Sequence, residues 1–220
     1  MRTLNDIFPG VFCITLEVGE NPSHPERLVA ACREFARAGI SVEFVEGVDG
    51  RKLDISEPMS RDGDSVVRKA DMGCTLSHLK VVQMAKKRNL PRYFVFEDDV
   101  VLADNFQERF YQAMCGVPAF WKMIYAGGDN QLPNSEPTLN NLVKGTNRTL
   151  TTHAFGATQA IYNDLIRVLY QHEKVDLNIS ELHTMSGCFT MHPPLAGQRP
   201  GWSYILSKEV QNEHEFFRVK

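Results

Sequence analysis

The sequence predicts an α/β fold, in which helices flank a mainly parallel central sheet. Residues 11–47 carry the first observation: a strand-like run over 11–16, a helix with apolar residues at helical spacing, and an alternating strand over 41–45. Such a strand–helix–strand unit is parallel and right-handed. The second observation is that strand and helix patterns keep alternating after this unit, with no internal repeat or linker. We therefore predict one domain over residues 1–220.

The remaining pattern predicts each element in turn. Ser23 and Glu26 form a capping box for the first helix, which has Pro25 in its first turn and ends at Gly39. Residues 48–70 are a polar loop, either a cover over a site or a plain surface excursion. The later elements are a helix over about 72–88, a strand over 93–97, a helix from Asp104 to about Cys115, a strand over 122–126, a loop over 131–147, a strand over 154–162, a helix capped by Asn163, a loop over 175–177, a short helix from Ser180, a strand over 189–192 and a tail over 193–203 without regular period.

Composition excludes several classes of protein. The net charge is −3 and acids and bases are mixed, so no nucleic-acid surface is predicted. Five cysteines without a C-x-x-C pair indicate free thiols in a reducing cytosol. We find no transmembrane segment and no signal peptide, so we expect a cytoplasmic protein, with peripheral association at the inner face of the membrane left open.

The main chemical signal is a buried strand that ends in acids. The run 93–96 is aromatic and β-branched, and it continues into Glu97, Asp98 and Asp99. A strand of a parallel sheet delivers such acids to the edge where α/β proteins bind ligands. Mutual repulsion among carboxylates favours a cation between them, and Mg²⁺ and Mn²⁺ prefer carboxylate oxygen. The alternative is a solvated acidic turn.

Four blocks of sequence, in this order, resemble glycosyltransferase family 25, whose members include bacterial lipooligosaccharide galactosyltransferases and collagen galactosyltransferases. The blocks are 73–78 (GCTLSH), 95–99 (VFEDD), the strand from Ala154 to Tyr162 with its helix, and 194–201 (PLAGQRPG). The opening run 13–16 with Arg27 also fits the start of the family. The resemblance implies a single-domain, Rossmann-like GT-A fold. It also implies transfer of a hexose, galactose above all, from a UDP-sugar donor to a glycan acceptor such as lipooligosaccharide, with Mn²⁺ or Mg²⁺ and with inversion.

The metal would neutralise the charge that develops on the departing diphosphate. On an extended backbone Glu97 and Asp99 point to the same side, so we expect Asp99 and Glu97 to bind it. His192 is a candidate third ligand, although a lone histidine there is more often a plain hydrogen-bonding residue. Asp176 matches a late acidic position of the family and is our candidate general base. Its alternative role is a helix cap.

The remaining candidates are donor-binding residues. They are Thr15, Arg27, Ser77, His78, Glu97, Asp98, Asp129, Gln198 and Arg199. Ser77 and His78 lie near a helix N-terminus, which favours anions, but His78 could instead lock that helix to the central strand. Arg27 could bind phosphate or pair with Glu26 or Glu34. Arg199 suits a phosphate, and Asp129 is placed to touch donor sugar or acceptor.

Two departures from the family pattern affect donor contact. Tyr204 stands where the family often has Asp, and the residues after the first strand, from Glu17 onward, are acidic where the family carries basic ones. Two rival functions remain. One is a catalytically inactive protein that binds nucleotide-sugar or glycan. The other is a metal-dependent phosphohydrolase, which would need a second Asp two residues after its nucleophile, where Asp98 has Val100.

Overall fold

The computed structural model describes residues 1–18, 22–56, 68–171, 174–205 and 208–210. Its α-helices are α1 Leu4–Ile7, α2 Pro25–Ala38, α3 Lys69–Lys87, α4 Phe106–Met114, α5 Tyr162–Leu169 and α6 Val175–Ser180. Its strands are β1 Gly10–Thr15, β2 Glu43–Glu46, β3 Arg92–Glu97, β4 Val100–Leu102, β5 Met123–Tyr125, β6 Asp129–Pro133, β7 Val143–Leu150, β8 Ala154–Thr158, β9 Cys188–Met191, β10 Ala196–Gln198, β11 Gly201–Ser203 and β12 Lys208–Val210. Short 3₁₀ helices cover Gly50–Lys52, Gln159–Ile161 and Glu181–Thr184.

One eight-stranded sheet has the order β2-β1-β3-β8-β5-β9-β7-β6. Strands β2, β1, β3, β5, β9 and β6 run in one direction, whereas β8 and β7 run against them. The predicted α/β class with a mainly parallel sheet is therefore confirmed. The carboxyl ends of β1, β3 and β5 meet at one edge, which is where the acids emerge.

The apolar residues of β3 belong to two hydrophobic cores, one on each face of the sheet. Phe94 and Phe96 point to one face, where Phe96 packs 5.2 Å from the Phe35 ring of α2. Tyr93 and Val95 point to the other face, against α3 and α5. Successive side chains of a strand alternate between faces, so a strand covered by helices on both sides must be apolar throughout. Full burial of such a side chain contributes about 1.5–3 kcal/mol, which fixes the strand that carries the acids.

Helix boundaries agree with the sequence at one end of α2 and differ at the other. Gly39 ends the helix in the left-handed region, with φ of 64°. The predicted capping box from Ser23 is wrong, because His24 and not Ser23 is the N-cap residue, and the side chain of His24 makes no capping hydrogen bond. His24 instead bonds Glu26 and stacks on Trp202, 5.5 Å between ring centroids. One contact of His24 is therefore with an aromatic residue far away in the sequence.

Three predicted irregular stretches contain regular structure. The predicted loop over 131–147 holds most of β6 and the first half of β7, which pair as an antiparallel ribbon at the sheet edge. Its polar composition reflects an exposed edge rather than a loop. The tail over 193–203 contains β10 and β11, and the predicted loop over 175–177 begins α6. Residues 57–67 of the predicted loop over 48–70 lie outside the described residues. Among the helices that are described, none has the length and hydropathy of a membrane span.

Candidate active site

The chain turns sharply where β3 ends, and this turn carries three carboxylates. Glu97 is the last residue of β3, and Asp98 and Asp99 form the turn into β4. The pairing of β1 with β3 places Ile14 opposite Glu97, so Thr15 lies at the same edge. The acids therefore stand at the carboxyl edge of the sheet, as the sequence predicts.

Asp98 is enclosed by partners. Thr15 Oγ1 donates to its Oδ2 at 2.6 Å, and Arg27 donates to its Oδ1 from Nε at 3.0 Å and from Nη2. The third nitrogen of Arg27, Nη1, donates to the carbonyl of Trp202 at 2.6 Å. Burial lowers the pKa of Arg27, but Asp98 and Asp99 outweigh this effect and raise it. Asp98 therefore ties β1, α2 and the C-terminal segment to the turn.

Glu97 is also held, by two donors. Thr152 Oγ1 donates to Glu97 Oε1 at 2.7 Å, and His78 Nε2 lies 3.2 Å from the same oxygen. Since a carboxylate only accepts, this contact fixes the proton of His78 on Nε2. Burial raises the pKa of Glu97, but the bonds from His78 and Thr152 bring it down to about 2. Glu97 is therefore an ionised carboxylate held in place.

Asp99 lies next to these groups with far weaker partners. Its Oδ2 is 3.4 Å from Gln198 Nε2 and 3.6 Å from Arg27 Nη2. Its Oδ1 is buried and has no hydrogen-bond partner among the described residues. Burial, followed by the charge of Glu97, raises the pKa of Asp99 to about 7. A buried carboxylate oxygen without a donor is costly unless a ligand completes it.

The C-terminal segment closes over this turn. Strand β10 pairs antiparallel with β4, with Gln198 opposite Val100. The backbone N–H of Arg199 donates to the carbonyl of Asp99 at 2.6 Å, and its Nη2 reaches the carbonyl of Val100 at 3.3 Å. The polypeptide between 196 and 199 thus completes the site after a separation of about a hundred residues.

The two departures from the family pattern contact each other. Tyr204 Oη donates a hydrogen bond to Glu17, which is only 4% exposed. The guanidinium of Arg51 lies 4.7 Å from the centroid of the Tyr204 ring, within cation–π distance. Burial, followed by the bond to Glu17, raises the pKa of Tyr204, so the phenol stays protonated and donates. The pair joins the end of β1 to the C-terminal segment.

Two adjoining cavities lie around the acids. The first, about 140 Å³, is bounded by the end of β1, the start of α3 and residues 203–205. The second, about 320 Å³, is bounded by α6, β11 and the link between β7 and β8. Arg27, Glu97, Asp99 and Gln198 line both, so the acids form the wall between them. Asp176 lines the second cavity only.

A third cavity, of about 680 Å³, opens beside the second one. Asp129 and His192 line it, together with the β10 residues Ala196 and Gly197. Thr151 lines both the second and the third cavity. The third cavity is therefore next to the acids but separated from them by the link between β7 and β8 and by β10.

The structure brings most of the predicted site residues together. The first cavity is lined by Thr15, Arg27, Ser77, His78, Glu97, Asp98, Asp99 and Gln198, whereas Arg199 and Asp176 line the second. Asp176 also accepts a local bond from the N–H of Leu177 at 2.9 Å, but it lies inside α6, whose N-cap residue is Lys174, so its alternative role as a helix cap is wrong. Asp129 and His192 line the third cavity and neither of the two that hold Asp99.

Some predicted residues have structural duties as well. The hydroxyl of Ser77 donates to the carbonyl of Gly73 at 2.7 Å and accepts from the N–H of Val48 at 2.8 Å. His78 locks α3 to the central strand through Glu97, as its alternative role foresaw. Arg27 pairs with Asp98 rather than with Glu26 or Glu34.

Sequence reasoning missed Thr151, Thr152, Lys174 and the Glu17–Tyr204 bond. Thr152 holds Glu97, and Lys174 lines the second cavity with Asp176. A threonine in a polar link carries no periodic signal. The position of Lys174, two residues before the candidate base, was the one available hint.

The donor set decides which metals suit the site. Cys74, His78 and Glu97 offer ligand atoms within 4.8 Å of one another. Burial raises the pKa of the Cys74 thiol well above its ordinary value, and His78 Nε2 is engaged with Glu97. Sulfur and nitrogen ligands select zinc-like metals, whereas Mn²⁺ and Mg²⁺ take oxygen. For these two metals the fitting ligands are the carboxylates of Asp99 and Glu97.

Comparison with known proteins identifies the class. The model of glycosyltransferase family 25 (LPS biosynthesis protein) matches residues 14–165, and the chain belongs to this family. It is 32% identical over 149 residues to "Inactive glycosyltransferase 25 family member 3" of Mus musculus, covering 61% of this chain and 24% of that protein. It is 31% identical over 155 residues to "Procollagen galactosyltransferase 2" of Homo sapiens, covering 62% and 24%. The chain thus spans about a quarter of the length of these relatives.

A solved structure with a similar course of the chain is a glycosyltransferase involved in glycosylation of the major capsid of PBCV-1. It covers 90% of this chain and 97% of its own, with 9% sequence identity and a TM-score of 0.49.

Proposed function

We propose that this protein is a metal-dependent hexosyltransferase that moves galactose from UDP-galactose to a glycan acceptor with inversion at the anomeric carbon. Membership of family 25 supports the transferase class. The name of the human relative supports galactose, and the family's description supports a lipopolysaccharide-type acceptor. We propose that it works in the cytoplasm, with its acceptor presented at the inner face of the membrane.

One observation carries the proposal: the buried Oδ1 of Asp99, which has no partner among the described residues. It lies in the turn that also presents ionised Glu97, at the wall shared by the two cavities. Two oxygen donors and an unmet negative charge fit Mn²⁺ or Mg²⁺. When bound, such a metal neutralises the charge that develops on the diphosphate leaving group.

Positively charged side chains of the protein would add to the charge of the metal. Arg27, Lys174 and Arg199 line the second cavity, which suits an anionic diphosphate. Arg199 remains fixed by its contacts with the β4 turn, and its planar fork matches phosphate oxygens. Arg27 already neutralises Asp98, and its Nη2 lies 3.6 Å from Asp99 Oδ2. The positive charge of Arg27 is therefore next to both the acidic turn and the cavity proposed for the diphosphate of the donor.

Asp176 supplies the base. It lines the second cavity together with Asp99 and Thr151. It takes the proton of an acceptor hydroxyl while that oxygen forms a bond to the anomeric carbon of the sugar. The bond between this carbon and the diphosphate oxygen breaks, and its electron pair leaves with UDP. Attack from the side opposite the leaving group inverts the anomeric configuration.

A second candidate function is binding of nucleotide-sugar or glycan without catalysis. The specific observation in its favour is that a matched relative is named inactive. The phosphohydrolase alternative is disfavoured, since the position two after Asp98 is Val100, which is fully buried in β4.

Calorimetry tests the proposal. UDP-galactose, UDP-glucose, UDP-N-acetylglucosamine and GDP-mannose are titrated with and without Mn²⁺, and slow hydrolysis of each bound donor is then followed. We expect Mn²⁺-dependent binding of UDP-galactose and its slow hydrolysis. Binding without hydrolysis supports the non-catalytic candidate instead. If no nucleotide-sugar binds in either condition, the transferase proposal fails and only the glycan-binding form of the second candidate is left.

A further inference from the structure

The link between β7 and β8 contains a strained residue. Thr151 has a φ of 65°, in the left-handed region that β-branched residues rarely adopt. Such a conformation persists only where the surroundings impose it. On one side of Thr151, the N–H of Thr149 donates to His183 Nδ1 at 3.0 Å. On the other side, Thr152 donates to Glu97. The strained residue is therefore clamped between two buried anchors.

The strain holds a hydroxyl that nothing else in the described structure uses. Thr151 Oγ1 is buried and has no hydrogen-bond partner among the described residues. A glycine at this position would relieve the strain. A strained backbone and an unused buried hydroxyl at one residue point to a ligand.

The position of Thr151 indicates which ligand. It lines both the second cavity, which contains Asp99 and Asp176, and the third, wider cavity. A group bound to Thr151 from the third cavity thus lies at the border of the space that the candidate base faces. An acceptor hydroxyl needs to reach this border in order to meet both the base and the donor.

The two cavities differ in charge. Four acids and three cations line the second cavity. In the third, the carboxylate and ammonium groups are those of Asp129 and Lys144, both exposed, and the lining also includes the hydrogen-bonding residues Asn130 and Thr190 and the apolar residues Pro133, Met191 and Pro194. Isolated hydrogen-bonding groups on an apolar wall suit a neutral sugar, and about 680 Å³ lies within the range of ligand sites.

Building on the proposed function, we propose that the third cavity binds a neutral sugar of the acceptor, and that the Thr151 hydroxyl is the group that positions this sugar toward Asp176. Thr151 makes its hydrogen bond when the acceptor is bound. The left-handed backbone aims the hydroxyl at the border between the two cavities.

The variants separate the hydroxyl from the strain. Thr151→Val removes the hydroxyl and keeps the branched shape, Thr151→Ser keeps the hydroxyl, and Thr151→Gly removes both hydroxyl and strain. Thr158→Val is the matched control, because Thr158 Oγ1 is also buried and without a hydrogen-bond partner in the described part of the chain, but Thr158 lines none of the three cavities. Relief of strain in Thr151→Gly should raise the Tm by about 2–4 °C. A purely structural threonine would give a lower Tm.

The first measurement is binding of neutral disaccharides, namely lactose, maltose and cellobiose, by saturation-transfer NMR in the presence of UDP and Mn²⁺. We expect at least one to bind the wild type. Thr151→Val and Thr151→Gly should weaken that binding about tenfold, the effect of one lost hydrogen bond. Thr151→Ser and Thr158→Val should bind as the wild type does.

The second measurement is the ratio of transfer onto the bound disaccharide to hydrolysis of UDP-galactose. It should fall about tenfold in Thr151→Val, through KM for the disaccharide, and stay unchanged in Thr158→Val. The inference is overturned if the wild type binds UDP but none of the disaccharides. It is also overturned if Thr151→Val keeps the wild-type ratio, or if the main defect of Thr151→Val is in UDP-galactose binding. Each of these results leaves the proposed transferase standing, whereas absence of UDP binding overturns the proposed function itself.

Discussion

Asp98 and Asp99 are neighbours in the chain, but their carboxylates lie in different surroundings. Asp98 accepts from Thr15 and Arg27 and is 4% exposed. Within the described residues, Asp99 has one buried oxygen without a hydrogen-bond partner and a second with long contacts only. The same contrast holds for the residues around the two carboxylates. We call Thr15, Arg27, Asp98 and Trp202 the braced half of the site, and Asp99, Thr151 and Asp176 the open half.

The contrast separates scaffold from ligand chemistry. A polar group that the protein itself satisfies holds the fold, and removing its partner leaves a buried charge behind. A polar group that the protein leaves unsatisfied at the wall of a cavity is one that a ligand can complete. Both kinds look alike in sequence, since all are acids, threonines or arginines near strand ends. Removing members of each half should therefore affect stability in one case and turnover in the other.

The largest expected effect is on the braced half. Arg27→Ala leaves Asp98 buried without its cation, and we expect the free energy of unfolding to fall by about 3–5 kcal/mol. Urea unfolding measures it. The matched control is Arg167→Ala, which removes an exposed partner of Asp164 and should cost less than about 1 kcal/mol. Equal losses in the two variants would remove the distinction between braced and surface pairs.

The open half should respond in turnover instead. Asp99→Asn removes a carboxylate whose pKa burial and Glu97 raise to about 7, so the unfolding free energy should not fall. Hydrolysis of UDP-galactose should drop by roughly 10²–10³-fold, the typical loss of one electrostatic group. Asp98→Asn should show the reverse pattern, with reduced stability. Mn²⁺ titrations and urea unfolding curves of Asp99→Asn and Asp98→Asn compare the loss of turnover with the loss of stability. Full turnover in Asp99→Asn would contradict the metal assignment.

A third prediction concerns the buried support beneath Thr151. His183 accepts from the N–H of Thr149 and bonds Tyr125 Oη at 2.8 Å, so it is neutral in the fold. Burial lowers the pKa of His183 to about 4 from 6.5. Because the unfolded chain takes up the proton first, His183 leaves stability intact above pH 6.5 and reduces it as pH falls toward 4. The loss is about 1.4 kcal/mol per pH unit, or roughly 3 kcal/mol in all.

The His183 effect is measured as the difference in unfolding free energy between pH 7 and pH 4.5. His183→Gln, which cannot take up a proton, should have a flatter profile over this range. An identical slope in wild type and variant would show that other groups account for the acid sensitivity.

The smallest expected effect tests the bond that joins the C-terminal segment to β1. Tyr204→Phe removes the donor to Glu17 and should cost about 1 kcal/mol. A double-mutant cycle with Glu17→Gln isolates the pair, and we expect a coupling energy of about 1 kcal/mol. Strict additivity of the two single effects would mean that the segment is held by other contacts, such as the bond from Arg27 to Trp202.

The fold class and the acidic turn were predictable because their signals are local. The run 93–96 is apolar at every position, which indicates a strand buried on both faces. The acids that follow it must therefore lie at the carboxyl edge of the sheet. The α/β class follows from the repeated alternation of strand and helix patterns. Arg27, Gln198 and Arg199 were reached through the family resemblance, which adds information that a single chain lacks.

The errors have a common physical cause. Strands β4 and β10 have three residues each, too few for a period, and they exist because residues 196–198 pair with 100–102. The predicted cap at Ser23 is wrong because His24 is the N-cap residue of α2, and the ring of His24 stacks on Trp202, which lies far away in the sequence. His192 and Asp129 follow strands at the same edge, but the edge is wide enough for separate cavities.

The sequence by itself determined an α/β sheet with a buried central strand that delivers Glu97, Asp98 and Asp99 to its carboxyl edge, because local apolar patterning selects strand, face and direction. Only the tertiary structure decided which of these acids is braced and which is open. That choice depends on Arg27, Thr15 and the segment from 196 to 205, which contact the turn across 70 to about 100 residues of chain. Pairing at such a separation is a property of the packed chain and leaves no mark in the local pattern.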